Sequence, residues 1–132
     1  MPTDSSIAVA QEFFAKYFAG DVTGAARLLD KDAVYRAPGR HEIAGVFRGV
    51  HQVTEHLSAF LELTGHAVDV LKWEDWLAGV NHVAGLASLH LQREGEFLTI
   101  RAVFVVTMSS EGLILEIDAF LNDPSQLDHF FA

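Results

Sequence analysis

Cysteine is absent from the 132 residues. Neither a disulfide framework nor a thiolate metal site can exist, and the absence agrees with a reducing cytoplasm, the expected location. Positive charge is scarce, with nine Lys and Arg against eighteen Asp and Glu and a formal charge of -9. That balance repels phosphate backbones and anionic bilayers, so neither nucleic acid nor membrane is an expected partner. No stretch approaches the roughly eighteen apolar residues that cross a bilayer. The start, MPTDSSIAVAQEFF, lacks a basic segment followed by an apolar run, so no secretory leader is expected.

What is present is apolar: half of the composition is hydrophobic. At this length that supplies one core, and a single domain spanning 1–132 is expected. Ile7, Val9, Ala10, Phe13, Phe14, Tyr17 and Phe18 recur at helical spacing, and Gly20 supplies the stop. Asp21 is placed to cap a second short helix, Val22 to Leu29. Ala33 to Ala37 reads as a brief strand, ended by Pro38-Gly39. A loop follows to Gly49, and YRAPGRHEIAGVFRG sets three arginines and a histidine between two apolar segments. From Val50 to Leu63 the apolar positions Val53, Leu57, Phe60 and Leu61 mark an amphipathic third helix. Beyond it the rhythm becomes that of strands, at 66–77, 82–93, 96–108 and 113–121, with Arg93 to Glu96 and Ser109 to Gly112 as turns. The tail NDPSQLDHFFA ends in two aromatics that should dock on the body.

Three helices followed by a meander argue for an α+β domain with the helices on one face of a curved antiparallel sheet. A bent sheet wrapped over helices leaves a cavity at its open end, where small ligands bind. The stretches FAGDVTGAARLLDKDAVYRAPG, AGVFRGVHQVTEHLSAF and EGLILEIDAFLNDPSQLDHFF resemble the nuclear transport factor 2-like superfamily, in particular its ketosteroid isomerase and SnoaL-like polyketide cyclase branch. The resemblance implies a cone-shaped, cystatin-like roll of three N-terminal helices wrapped by a curved antiparallel sheet. It also implies a chemistry that can be checked by position. The isomerases use an Asp base and an oxyanion hole of a Tyr and a protonated Asp. Those positions fall here on Ala37, Phe13 and about Ala102 or Val103, none of which can move a proton or donate to an oxyanion. Authentic steroid isomerisation is therefore disfavoured. The final-strand Asp of the related limonene epoxide hydrolases falls on Ala119. For the single acidic base of SnoaL-like cyclases, the nearby candidates are Asp118 and Asp123.

Strand alternation then orders the remaining polar residues. With Ala37 at the base position, Tyr35 points into the cavity, either as a ligand donor or as a core tyrosine bonded to a carbonyl. A cavity-facing Val103 would carry Thr99 and Arg101 inward, making Arg101 a ligand contact or else a salt-bridge partner of Asp69 or Glu62. Ile117, Ala119 and Leu121 are expected inward, which turns Asp118 outward. Asp123, before Pro124, is a catalytic candidate or the cap of a terminal turn. His41, in the loop over the cavity and with an ordinary pKa of about 6.5, is the other catalytic candidate, against a plain solvated histidine. His56 and His90 can reach either the cavity or the surface. His51 and His56 sit on different helical faces and no HExxH pattern occurs, so no metal is expected, nor any other cofactor. Trp73 and Trp76, three apart, are expected on opposite sheet faces. An apolar outer face supplied by Leu71, Trp73, Leu89, Leu91, Phe104 and Phe120 would make a homodimer.

The functional expectation is a SnoaL-like protein that binds a small hydrophobic or polyketide-like molecule. Its site would use Tyr35, His56 and Arg101 as ligand contacts, and His41 or Asp123 to move a proton in an isomerisation, cyclisation or hydrolysis. The alternative is a non-catalytic dimeric binding or assembly module with the cavity filled by side chains.

Overall fold

The computed structural model describes residues 3–66 and 68–132. Met1 and Pro2 of the opening stretch, and Ala67 of the expected strand 66–77, lie outside the described residues. Helix α1 (Thr3–Phe18) forms because Ala10, Phe13, Phe14 and Tyr17 recur at i, i+3, i+4 and i+7, a stripe that is fully buried. It ends at Gly20, whose φ of 91° costs glycine little. The amides of Gly20 and Asp21 there donate to the carbonyls of Tyr17 and Lys16 at 3.0 and 2.8 Å, closing the helix end. Asp21 caps helix α2 (Val22–Ala26), its Oδ1 accepting from the Gly24 amide at 2.8 Å. Helix α2 is shorter than expected because strand β1 (Leu29–Ala37) already begins at Leu29.

Strand β2 (Gly45–Arg48) occupies what reads in the sequence as loop, pairing antiparallel with β1 from Val34 opposite Arg48 to Ala37 opposite Gly45. Four residues after a glycine carry too little alternation to announce a strand. Helix α3 (Gly49–Leu63) buries Val53, His56, Leu57 and Leu61, so His56 shares the core stripe at i+3 from Val53. The meander follows as β3 (Val68–Ala78), β4 (His82–Arg93), β5 (Glu96–Met108) and β6 (Ile114–Leu121), and helix α4 (Pro124–Phe130) closes the chain.

The α+β architecture is the expected one: a curved six-stranded sheet in the order β2-β1-β6-β5-β4-β3 with helices against it. Its neighbours run antiparallel, except that β1 lies parallel to β6 with Tyr35 opposite Ile117. Helix α1 packs on β3, α3 on β1, and α4 on β5. The inner face carries Val83, Ala87, Leu89 and Leu91 of β4 and Ile100, Ala102, Phe104 and Val106 of β5, all buried. Each large apolar side chain buried this way contributes about 1.5–3 kcal/mol.

Two expectations about facing are overturned. The first concerns β3, which slips register between Val70 and Lys72 and again between Trp73 and Asp75, so Leu71 and Glu74 are extra residues. Trp73 and Trp76 therefore oppose Ala87 and Gly85 on the same inner face, with ring centroids 4.5 Å apart. The second concerns β5, where the even positions face inward and Val103 does not. With that parity Leu89, Leu91 and Phe104 belong to the core, and Trp73 packs on Phe14 and Phe104. Of the residues expected on the outer face, Leu71 and Phe120 are there, 59% and 56% exposed.

Candidate functional site

Strand β1 alternates so that Tyr35 and Ala37 face inward while Arg36 faces out, where it pairs with Glu116 at 2.6 Å and Asp118 at 3.1 Å. Beside it, β6 turns Ile117, Ala119 and Leu121 inward, and Ala119 and Leu121 border a cavity. Its walls include Tyr17 and Phe18 of α1, His56 and Phe60 of α3, Pro38 and His41 of the β1–β2 loop, and Leu127 of α4. The volume is about 50 Å³. That is room for a few water molecules and well short of the roughly 300 Å³ at which drug-sized ligands begin to fit. A ligand of two or more rings must displace part of the wall.

The C-terminal segment supplies one part of this wall. Leu127 lies over the cavity, and Phe131 packs on Phe60 and His41 with ring centroids 5.9 and 5.1 Å away. Arg93 holds this tail, donating to the carbonyls of Phe130 and Ala132 at 3.0 and 3.3 Å. Asp128 ties α4 to the loop by accepting from the Arg40 amide at 2.6 Å. Gly39, with φ 106°, makes this approach feasible, since a Cβ there would collide with Asp128 Oδ1 and stand 2.9 Å from the His41 ring.

Three of the sequence-predicted residues meet at this cavity. Tyr35 is 4% exposed, and burial raises its pKa, so the hydroxyl stays a proton donor. His56 is 5% exposed; burial, reinforced by the nearby His41, lowers its pKa to about 4 against the pull of the Ile43 backbone. His41 is half-buried and also lowered by burial, with the Pro38 carbonyl and the Asp128 and Glu42 carboxylates acting the other way. Its Nε2 lies 3.1 Å from the Pro38 carbonyl oxygen, which fits an Nε2–H donor and leaves Nδ1 as the lone-pair atom. Both Nδ1 atoms, of His41 and of His56, are buried without a hydrogen-bond partner. At neutral pH both rings are uncharged acceptors.

Arg101 and Asp123 are not part of this arrangement. Arg101 sits on the outer face because its neighbours Ile100 and Ala102 take the inner one, and it pairs with Glu74, Nε to Oε2 at 3.1 Å. The expected partners Asp69 and Glu62 are not the ones used. Asp123 is exposed and caps α4, Oδ1 accepting from the Ser125 amide at 3.2 Å and hydroxyl at 2.6 Å. His90 faces outward and stacks on Phe97 at 5.5 Å. Among the described residues no cluster of three His, Asp or Glu offers a metal site. Sequence reasoning missed Tyr17, which reads as one more member of the α1 core stripe. The clue was its phenol at the end of an otherwise aliphatic and phenylalanine face.

Comparison with known proteins agrees with the geometry. The SnoaL-like domain matches residues 10–117. The uncharacterized protein Rv0034 of Mycobacterium tuberculosis is 30% identical over 136 residues, with both chains covered completely. Among solved structures, an NTF2-like protein from Burkholderia xenovorans LB400 superposes with a TM-score of 0.88 at 19% identity, covering 100% of this chain and 99% of its own. TerC co-crystallised with polyporic acid gives 0.82 at 14% identity, with 96% and 97% covered. Rv0760c of Mycobacterium tuberculosis in complex with estradiol-17beta-hemisuccinate gives 0.76 at 18% identity, with 89% and 94% covered. At these identities the superpositions establish the fold, and the domain match with the full-length relative establishes the family: the chain belongs to the SnoaL-like domain family, on an NTF2-like fold.

Proposed function

We propose that this chain binds a small, mostly apolar molecule bearing an oxygen function in the cone cavity and moves a proton on it. The observation that carries the reading is the convergence of Tyr35, His41 and His56 on one otherwise apolar cavity, with both histidine Nδ1 atoms unpartnered. Tyr35, kept protonated, is suited to donate to the ligand oxygen as charge develops there. Of the two histidines, His41 is the better proton acceptor. A base whose pKa sits near 4 has little driving force at neutral pH, so His56 is suited to accept a hydrogen bond and position the ligand. Binding of polyporic acid by TerC and of a steroid ester by Rv0760c supports a ring-containing ligand on this fold. Isomerisation and cyclisation both need the donor and acceptor that these residues supply, and neither needs a cofactor.

The small cavity, together with Leu71 and Phe120 exposed on the outer face, favours a second reading, a non-catalytic homodimeric module. Native mass spectrometry of the purified protein separates the two. One small molecule released per subunit on denaturation supports the binding reading and identifies the ligand class. An empty protein that also takes up no steroid or aromatic polyketide supports the module. The subunit count is read from the same spectrum, and Phe120→Glu on the outer face should turn dimers into monomers if that face is the interface.

A further inference from the structure

We propose that the cavity is built for an uncharged ligand, whose oxygen is held by two phenol hydroxyls, that of Tyr17 as well as that of Tyr35. The inference rests on the binding reading above and narrows its ligand class.

The first support is what the cavity wall lacks. The lining holds no Asp, Glu, Lys or Arg. The cations are committed elsewhere: Arg36 to Glu116 and Asp118, Arg101 to Glu74, Arg93 to the C-terminal carbonyls, and Lys16 to Asp21. Lys31, Lys72, Arg27, Arg40 and Arg48 are exposed. The histidines bring no compensating charge at neutral pH, since burial favours their neutral forms. A carboxylate moved into such a site loses its hydration and gains no counter-ion, and an ammonium fares no better.

The second support is what the wall offers instead. Tyr17 from α1 and Tyr35 from β1 are 2% and 4% exposed, and both border the cavity. The two phenols are close enough to influence each other electrostatically. Two phenol donors on different elements, both lining one apolar space, fit a single acceptor oxygen such as a ketone or a quinone carbonyl. They do not fit an ammonium, which has no lone pair to offer.

Three single-ring probes of similar shape test this: acetophenone, benzoate and ethylbenzene. Each is titrated at pH 7.5 into the full chain and followed by the methyl resonances of Leu89, Ile100, Leu121 and Leu127. Acetophenone is expected to shift these methyls and benzoate to bind about 100-fold more weakly or worse. Tyr17→Phe and Tyr35→Phe should each weaken acetophenone by about threefold to tenfold and leave ethylbenzene unchanged. Benzoate binding at the same methyls as tightly as acetophenone overturns the uncharged cavity. Normal acetophenone affinity in Tyr17→Phe overturns the role of Tyr17. If none of the probes moves these methyls, the binding reading fails, and this inference fails with it.

Discussion

The rings of Tyr35 and His56 lie 4.9 Å apart between centroids, and Phe47 stacks on the same imidazole at 4.3 Å. A strand, an edge strand and a helix thus enclose one histidine in aromatic surface, which is why its charged form is so disfavoured. Because the folded-state pKa of about 4 lies below the ordinary value of about 6.5, the unfolded chain takes up a proton that the folded chain refuses between those limits. Stability is therefore fully present above about pH 6.5 and falls as pH drops toward 4, by roughly 3 kcal/mol for this group. His41 acts in the same direction. Urea denaturation at pH 7.5, 5.5 and 4.5 should show the loss, and His56→Gln should flatten the slope. An unchanged slope in that variant would assign the acid lability to other groups.

Gly85 makes a second prediction, this one purely steric. A Cβ at this position would lie 2.7 and 2.8 Å from two Trp76 ring carbons and 2.9 Å from one of Trp73. Alanine normally favours a strand over glycine, so a stabilised Gly85→Ala would mean the indoles can move aside. They are wedged between β3, β4 and the α1 aromatics, however, with Trp73 5.6 Å from Phe14. Overpacking of this kind costs about 1–3 kcal/mol. A lowered denaturation midpoint with unchanged m-value and an altered near-ultraviolet dichroism of the tryptophans are the expected outcomes.

The same strands show where the sequence is legible and where it is not. β4 and β5 end where they were expected, because the Glu94-Gly95 turn sets Arg93 opposite Glu96 and leaves no ambiguity of boundary. Facing is harder. FLTIRAVFVV is apolar on both sides, so its pattern does not choose between Val103 and Ala102 as the inward residue, and a slip of one flips every side chain. β3 hides two bulges that no local signal marks, and its tryptophans change sides as a result. On β1, by contrast, Arg36 beside Tyr35 sits in strongly alternating surroundings, and the two directions follow from pattern, whereas the sequence of α3 leaves His56 open between cavity and surface, and its place in the buried stripe with Val53 comes from the structure. The cover formed by α4 depends on contacts between residues more than eighty positions apart, such as Arg40 with Asp128, and a local reading has no access to those.

Arg101 distinguishes the outer face from the cavity. Its side chain is 62% exposed and paired with Glu74, an arrangement that contributes less than about 1 kcal/mol. Arg101→Ala should leave acetophenone affinity at its wild-type value and shift the denaturation midpoint only slightly. A tenfold loss of affinity in that variant would place the ligand site on the wrong side of the sheet.

Asp128 performs two separable tasks, and two substitutions tell them apart. Its oxygen accepts from the Arg40 amide, and its charge raises the pKa of His41 against the effect of burial. Asp128→Asn keeps an oxygen for Arg40 and removes the charge, so His41 should titrate at lower pH than in the wild type, as read from its ring protons by NMR. Its cover should stay in place. Asp128→Ala removes the tether as well. The charge-assisted bond it deletes is partly solvated, and its loss should speed amide exchange in residues 124–132 by roughly threefold to tenfold. Because Leu127 borders the cavity and Phe131 packs on His41, which borders it too, the same variant should admit and release acetophenone faster. Faster exchange of the tail without faster ligand exchange would mean that ligands enter elsewhere, and the wall between β2 and α3, where Phe47 covers His56, would be the next place to open.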